Sequence, residues 1–339
     1  MLVVRPARED DFNDLEELAR LAGPGFTSLS VDQAGLRKKL ERSVANFAAE
    51  VKEPGDELYW LMLEDAESGA VVGMGGVKAR VGVHAPFFSF RRTTIAQWSS
   101  EVDRRFDMDV LFAVNEAAGA TEVGSLFVRA EARRNGAGRL IAQSRYMLMA
   151  AALERFGSHV IAELRGVVDA DGRSAFWEAL GRHFFRMDFN EADRLSALDS
   201  QFLSDLLPTH PIYIDLLPED ARAVIGEPHP DGRPARKLLE AQGFRYDGLV
   251  DVFDGGPLMV ARKELLAGVK DSAIAALADG DPEDGAAVDA LISNDRFSDF
   301  RACWSQVSLR DGEVRAPQAT AQALNVNAGD RVRVWTRRT

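Results

Sequence analysis

The sequence predicts a mixed fold, an α/β or α+β core that we read as α+β, and three observations predict it. Between Gly124 and Met187 the order of patterns is strand, glycine-rich turn, helix, strand, short helix, strand. Ahead of that run come two amphipathic helical patterns and two strand patterns. After Lys270 the helical spacing gives way to short strands and turns, so a small β-rich unit closes the chain.

Taken in order, Leu2 to Arg5 is a strand that Pro6 ends. Asp10 or Asp11 caps a helix whose apolar positions are Leu15, Leu18, Ala19 and Ala22, and Gly23-Pro24-Gly25 stops it. Asp32 caps a second helix through Leu36, Leu40, Val44 and Phe47. Leu58–Glu64 and Val71–Val81 are strands joined by the turn Asp65 to Gly69. The stretch from Ala85 to Gly119 fits no single pattern; a strand near Phe87–Arg91 with irregular surroundings is the expectation. Gly124–Val128 is a strand, Arg139 to Phe156 a long helix, and Val160–Leu164 an apolar strand. A short helix near Ser174–Leu180 and a strand through Phe184–Met187 complete this part.

A weak echo links Phe176-Trp177-Glu178-Ala179-Leu180-Gly181 to Leu238-Leu239-Glu240-Ala241-Gln242-Gly243: two short helices, each closed by glycine and followed by a strand. Three identities in six leave duplication of the unit open. The expected division is 1–195 as a first domain, 196–265 as a second unit, and 266–339 as the β-rich tail.

Composition narrows the function classes. The 339 residues are 46% hydrophobic and 28% charged, enough apolar material for a core in roughly two domains at about 150 residues each. The net charge of −12, from 41 Lys+Arg against 53 Asp+Glu, argues against nucleic acid as a partner. A single cysteine, Cys303, forms no internal disulfide. No apolar run approaches the roughly 18 residues a membrane span needs, and the start of the chain lacks a signal-peptide pattern. The expectation is a cytoplasmic protein with no membrane partner.

Arg133-x-x-Gly136-x-Gly138 lies between a strand and a helix. Glycines there let backbone approach a ligand, and a helix start offers unpaired N–H groups and a partial positive charge. Neither the Gly-Lys-Ser/Thr of a P-loop nor a G-x-G-x-x-G fingerprint is present. Arg129, Arg133, Arg134, Arg139 and Arg145 make a local basic cluster suited to a pyrophosphate with a further phosphate, as in coenzyme A. The plainer alternative is a solvated arginine face on a helix.

These residues carry a resemblance. Arg-x-x-Gly-x-Gly opening a helix after a strand resembles the acyl-CoA loop of GNAT-type N-acyltransferases. Over nearly its whole length the chain resembles the bacterial arginine N-succinyltransferases. The resemblance is carried by Val4-Arg5-Pro6, Thr27-Ser28-Leu29, Gly124–Val128, Arg145–Ala151, Ala162–Val167, Phe176-Trp177 with Gly181, and Phe184–Phe189. Later segments are His210–Tyr213, Val224-Ile225-Gly226, His229-Pro230, Pro234-Ala235-Arg236, Gly243–Tyr246 and Phe253–Pro257. It implies a GNAT-like fold, possible in duplicate given the echo above, and transfer of succinyl from succinyl-CoA to the α-amino group of L-arginine, the first step of arginine degradation by the succinyltransferase route. Succinyl-CoA would be a co-substrate rather than a resident cofactor, no metal would be needed, and the chain would work as a homo- or hetero-oligomer with a paralogous subunit.

By the same resemblance His229 is the proton donor and Leu126 contacts succinyl-CoA through its main chain. The donor-binding stretch then comprises Leu126, Phe127, Val128, Arg133, Arg134, Asn135, Gly136, Ala137 and Gly138. From the residues alone, each of His229 and His210, both followed by proline in loop-like surroundings, is as well explained as structural. Glu163 stands out as a carboxylate in an apolar strand, either partnered by Arg165 or Arg145 or facing the substrate. Asp251 and Asp254 are weaker candidates that fit ordinary turn residues. Two readings stay open beside succinyl transfer to arginine: another donor or amine, such as acetyl-CoA or ornithine, and a non-catalytic subunit of a heteromeric succinyltransferase.

Overall fold

The computed structural model describes residues 1–23, 32–133, 136–196, 201–283 and 285–336. Thr27-Ser28-Leu29, Arg134 and Asn135 lie outside the described residues. The elements run β1 (Leu2–Pro6), α1 (Phe12–Ala22), α2 (Gln33–Ala48), β2 (Leu58–Asp65), β3 (Val71–Lys78), β4 (Ser89–Ser99), β5 (Arg104–Val114) and β6 (Thr121–Val128). They continue with α3 (Ala137–Ala151), β7 (His159–Glu163), α4 (Arg182–Phe185), α5 (Phe189–Ser196), α6 (Gln201–Leu206), β8 (Ile212–Tyr213), α7 (Glu219–Val224) and α8 (Arg233–Gln242). The last are β9 (Arg245–Val250), β10 (Pro257–Arg262), α9 (Ala267–Lys270), β11 (Ala273–Ala278), β12 (Val288–Asn294), β13 (Ala302–Arg310), β14 (Glu313–Arg315), α10 (Gln318–Leu324) and β15 (Arg331–Thr336). The α+β class expected from the sequence holds. No described helix is long and apolar enough to cross a membrane.

Contacts group the chain into two compact units, one of residues 1–80, 121–158 and 262–339, the other of 81–120 and 159–261. This partition differs from the expected cuts at 195 and 265, because the chain leaves the first unit and returns to it twice. In the first unit the strand order is β12-β15-β11-β14-β13-β1-β2-β3-β6. α1 and α2 bury Leu15, Leu18, Leu36 and Leu40 against Trp60, Met62, Met74 and Phe127 on one face of β2, β3 and β6. Asp32 caps α2 as expected, its carboxylate accepting from the Gly35 N–H at 2.5 Å. Asp11 precedes α1 but is spent elsewhere: both its oxygens take the buried Arg5 guanidinium at 2.7 Å. The C-terminal stretch is β-rich as expected and has its own apolar cluster, with Val3 of β1 among its members.

In the second unit the strand order is β7-β10-β9-β4-β5-β8. β4 and β5, eleven residues each, form an antiparallel ribbon from Ser89↔Val114 out to Ser99↔Arg104. The sequence reading found only the start of this ribbon. Its outer half is exposed on both faces, so it carries no period-two signal, and its turn has no Asn-Gly or Gly-Gly pair but Asp103 at φ 50°.

The expected strand through Phe184–Met187 is corrected to helix. Residues Trp177–Gly181 form a π-helical turn that runs into α4, closed by Arg186 at φ 56°. The Trp177 ring stacks on Phe185 at 5.3 Å and its Nε1 donates to the Met187 carbonyl at 3.1 Å, a geometry a strand would break. The echo fails for the same reason. Gly243 is a true left-handed helix end at φ 99°, whereas Gly181 sits inside the helical run, where a Cβ would lie 2.2 Å from Trp177 Cε3.

Candidate active site

The glycine turn and its flanking strand belong to the first unit. β6 pairs with β3 as Gly73↔Val128, Met74↔Phe127 and Gly76↔Gly124. Ser125 and Leu126 therefore both face Gly75, and this bulge is marked by Ser125 at φ 51°. A bulge takes backbone groups out of the ladder, which is what a main-chain contact at Leu126 requires. Phe127 and Val128 are buried in the core, their side chains turned to packing. Arg133 sits after them with Nε donating to the Val128 carbonyl at 2.9 Å and its guanidinium 5.7 Å from the Phe127 ring.

Gly136 caps α3 in the left-handed region at φ 79°, a conformation that favours glycine, and its carbonyl accepts from Leu140 N–H at 2.8 Å. A Cβ on either Gly136 or Gly138 would meet no atom within 4 Å. Ala137 is buried beneath them. The helix start is thus open to a ligand, with its first N–H groups outward.

The expected arginine cluster is broken up. Arg129 donates to Glu17 at 2.8 Å and to the Val71 carbonyl at 3.0 Å. Arg139 is exposed, but Arg145 is only 3% exposed, held inside the unit by the Ala142 and Gly124 carbonyls, both at 3.2 Å. Arg145 therefore does not stand with the phosphate-binding candidates. Helical spacing gives no warning of this, since every residue of α3 from Leu140 to Met149 is buried, whatever its face.

The remaining candidates belong to the second unit. His229 opens a short 3₁₀ turn at Pro230–Gly232. Its N–H donates to the Arg165 carbonyl at 2.7 Å, and Pro228 bridges to Gly166. Its Nδ1 accepts from the Asp231 N–H at 3.3 Å, with Asp231 Oδ2 at 3.7 Å. The loop engages Nδ1, so Nε2 is the nitrogen left for proton transfer, and the side chain is 27% exposed. Glu163 and Arg165 are both exposed, alternating with buried Ala162 and Leu164. The premise that Glu163 is a carboxylate buried in an apolar strand is therefore corrected: strand alternation turns it outward.

What holds this loop is a pair of carboxylates that read as turn residues. Asp254, 7% exposed, accepts from Gly166 N–H at 2.7 Å and Gly256 N–H at 2.8 Å. Asp251 accepts from Phe253 N–H at 2.8 Å and Asp254 N–H at 2.9 Å. Burial and the neighbouring Asp254 raise Asp251 well above the carboxylate range. Asp193 of α5, unremarked in the sequence, is pushed up to about 6 by burial and by Asp254, against the pull of Arg165. Gly226 N–H donates to the Gly255 carbonyl at 2.8 Å, tying the start of the His229 loop to the same turn.

Among the described residues no group of three or more His, Cys, Asp or Glu side chains is placed to hold a metal.

Comparison with known proteins identifies the family of the chain. The family model described as arginine N-succinyltransferase beta subunit matches residues 2–267, and the model of its C-terminal domain matches 273–336. Proteins named arginine N-succinyltransferase from Salmonella typhimurium (strain LT2) and Salmonella dublin are 37% identical over 335 residues, 98% of this chain and 97% of each relative. A solved structure of arginine/ornithine succinyltransferase subunit AI from Pseudomonas aeruginosa superposes with a TM-score of 0.89 at 33% identity, covering 99% of this chain and 98% of the other. By length, order and fold, the chain belongs to the arginine N-succinyltransferase family.

Proposed function

We propose that the protein transfers the succinyl group of succinyl-CoA to the α-amino nitrogen of L-arginine, releasing CoA. The observation that carries this reading is the β6 bulge at Ser125–Leu126 followed by the left-handed Gly136 at an open helix start. The bulge offers backbone to the thioester, and the helix N-terminus offers N–H groups to the pyrophosphate. Leu126, Phe127, Val128, Arg133, Arg134, Asn135, Gly136, Ala137 and Gly138 form the donor-binding stretch. Arg133 supplies a cation there, while Phe127, Val128 and Ala137 act through main chain, since their side chains are buried.

The unprotonated amine attacks the thioester carbonyl, a C–N bond forms, and the C–S bond breaks. His229 in its imidazolium form gives its Nε2 proton to the leaving thiolate, and the proton that the attacking nitrogen loses passes through solvent and restores the imidazolium. Protonation turns Nδ1 into a donor, and Asp231 is the carboxylate within reach of it. Glu163 and Arg165, both exposed, are offered to the substrate: a carboxylate for the guanidinium and a guanidinium for the α-carboxylate.

Succinyl-CoA is a co-substrate, with no resident cofactor. The chain works in the cytoplasm as an oligomer, of its own copies or with a paralogous subunit; the Pseudomonas relative's description as a subunit supports this. Residues 273–336, matched by a model of their own, make up a C-terminal unit in the β-rich tail.

The test is release of CoA thiol across a matrix of succinyl-CoA and acetyl-CoA against arginine and ornithine. Release is expected with succinyl-CoA and arginine together and with neither alone. His229→Ala should lower kcat by roughly 10²–10⁴ without loss of fold. A variant that turns over like wild type would remove His229 from the mechanism.

A further inference from the structure

Arg145 is a buried cation for which the described residues supply no anion. Its guanidinium donates only to the carbonyls of Ala142 and Gly124, and the nearest aromatic face, Tyr146, is 5.9 Å away. Among the described residues no carboxylate pairs with it, and burial lowers its proton affinity against the opposing pull of Tyr146. Guanidinium does not give up its proton in proteins, so the charge stays.

Other buried arginines of this unit are compensated. Arg5, 4% exposed, takes Asp11 at 2.7 Å and Glu64 at 2.5 Å. Arg155, 9% exposed, lies 4.3 Å from the Phe297 ring and donates to the Tyr59 hydroxyl and to the Asn46 and Ala49 carbonyls at the end of α2. A helix C-terminus is itself a partial negative charge. Arg145 has neither device.

Its place is also specific. The carbonyl that receives Nη1 is that of Gly124, immediately before the Ser125–Leu126 bulge. Across the ladder, a Cβ on Gly75 would come within 3.1 Å of Ile141 Cγ1 and 3.4 Å of Arg145 Cδ, and one on Gly76 within 3.1 Å of Ser125 Oγ. Two consecutive glycines on β3 thus let the arginine stem and Ile141, and at the bulge Ser125, pack directly against the strand backbone.

We propose that Arg145 receives the free carboxylate of the acyl donor, the distal carboxylate of succinyl-CoA, beside the β6 bulge. This rests on the acyl-transfer reading above. Three C–C bonds at about 1.5 Å separate the thioester carbon from that carboxylate carbon, about 4 Å when extended. An acyl chain of that span lets a thioester held at the bulge present its carboxylate to a group beside the bulge. An acetyl group would leave the guanidinium buried and uncompensated, whereas succinyl neutralises it. Donor choice then comes from a buried polar group left unpaired by the wrong substrate.

The α-carboxylate of arginine is the other source of the same chemistry, and the experiment separates them. Butyryl-CoA matches succinyl-CoA in chain length without the carboxylate, and agmatine is arginine without its carboxylate. Wild type, Arg145→Met and Arg145→Lys are compared for kcat/KM over both donors and both acceptors, and for donor binding by calorimetry. In Arg145→Met the succinyl-to-butyryl ratio should fall roughly 10²-fold in kcat/KM and in affinity, with the arginine-to-agmatine ratio unmoved. Arg145→Lys should retain part of the succinyl preference, which a merely structural arginine would not predict. An unchanged succinyl-to-butyryl ratio, or a change confined to arginine against agmatine, overturns the proposal. Wild type that binds succinyl-CoA selectively yet releases no thiol would overturn the acyl-transfer reading instead, since the binding ratio tests Arg145 without turnover. If Arg145→Met does not fold, the lysine variant decides, a succinyl-to-butyryl ratio equal to that of wild type in both kcat/KM and affinity overturning the proposal.

Discussion

Asp193 shows how a single carboxylate in this protein couples fold to pH. Its native pKa of about 6 lies above the ordinary 3.8 of an aspartate, because burial and Asp254 both disfavour the charged form. A raised acid binds its proton more tightly when folded, so it costs nothing below about pH 4 and becomes destabilising as pH climbs through 6. Two pKa units correspond to at most about 3 kcal/mol, less after partial solvent screening. Asp193→Asn should therefore raise Tm at pH 7.5 and leave it nearly unchanged at pH 4. Thermal melts across that range check it, and an equal gain at both ends would mean the effect is not titration. Nothing in the sequence around Phe189–Ser196 marks Asp193, because its neighbours in space, Arg165 and Asp254, lie 28 and 61 residues away. His229, by contrast, is a candidate only through family resemblance; its proline-flanked loop alone does not separate it from His210.

At the scale of elements, the glycines divide into those that face protein and those that face space. A Cβ at Gly256 would lie 2.2 Å from the Leu164 carbonyl and 2.5 Å from Gly166 N, both backbone atoms with no room to move. Gly256→Ala should destabilise the protein by about 3 kcal/mol or more, since it forces apart the turn that carries Asp254 from the strand end that carries Arg165. Gly136→Ala meets no atom within 4 Å and pays only for its positive φ, about 1 kcal/mol. Urea unfolding of the two variants should rank them in that order. The elements themselves were legible where one face is buried and the other wet, as in α1, α2, β2 and β3. They were not legible in the β4–β5 ribbon, whose outer end leaves Trp98 65% exposed and so lacks the burial contrast that creates a pattern. The short helix near Ser174–Leu180 is legible, but Phe184-Phe185 read as the start of a strand because aromatic residues favour strands by propensity, while stacking of Trp177 on Phe185 and Phe253 overrides that preference.

At the scale of the molecule, the two ends of the chain meet in one unit. β1 pairs antiparallel with β13 through Val4↔Ala302, and with β2 on its other side. Val3 packs with Cys303, Val307 and Val332 in the cluster of the C-terminal strands. The family models place a boundary between residues 267 and 273, but the sheet runs across it. A chain ending at residue 272 would expose β1 as an unpaired edge with Val3 uncovered, a surface that invites aggregation. The expected result is that the 1–272 chain is insoluble or melts well below the full chain, measured by soluble yield and by circular dichroism. Cys303 reports on the same unit from inside. Burial pushes its thiol up to about 12, so in the intact protein it should resist a thiol reagent until the C-terminal strands open. Rapid labelling of the native chain, or a 1–272 chain that melts like the whole, would mean that the C-terminal strands are an appendage rather than part of the unit that carries β6.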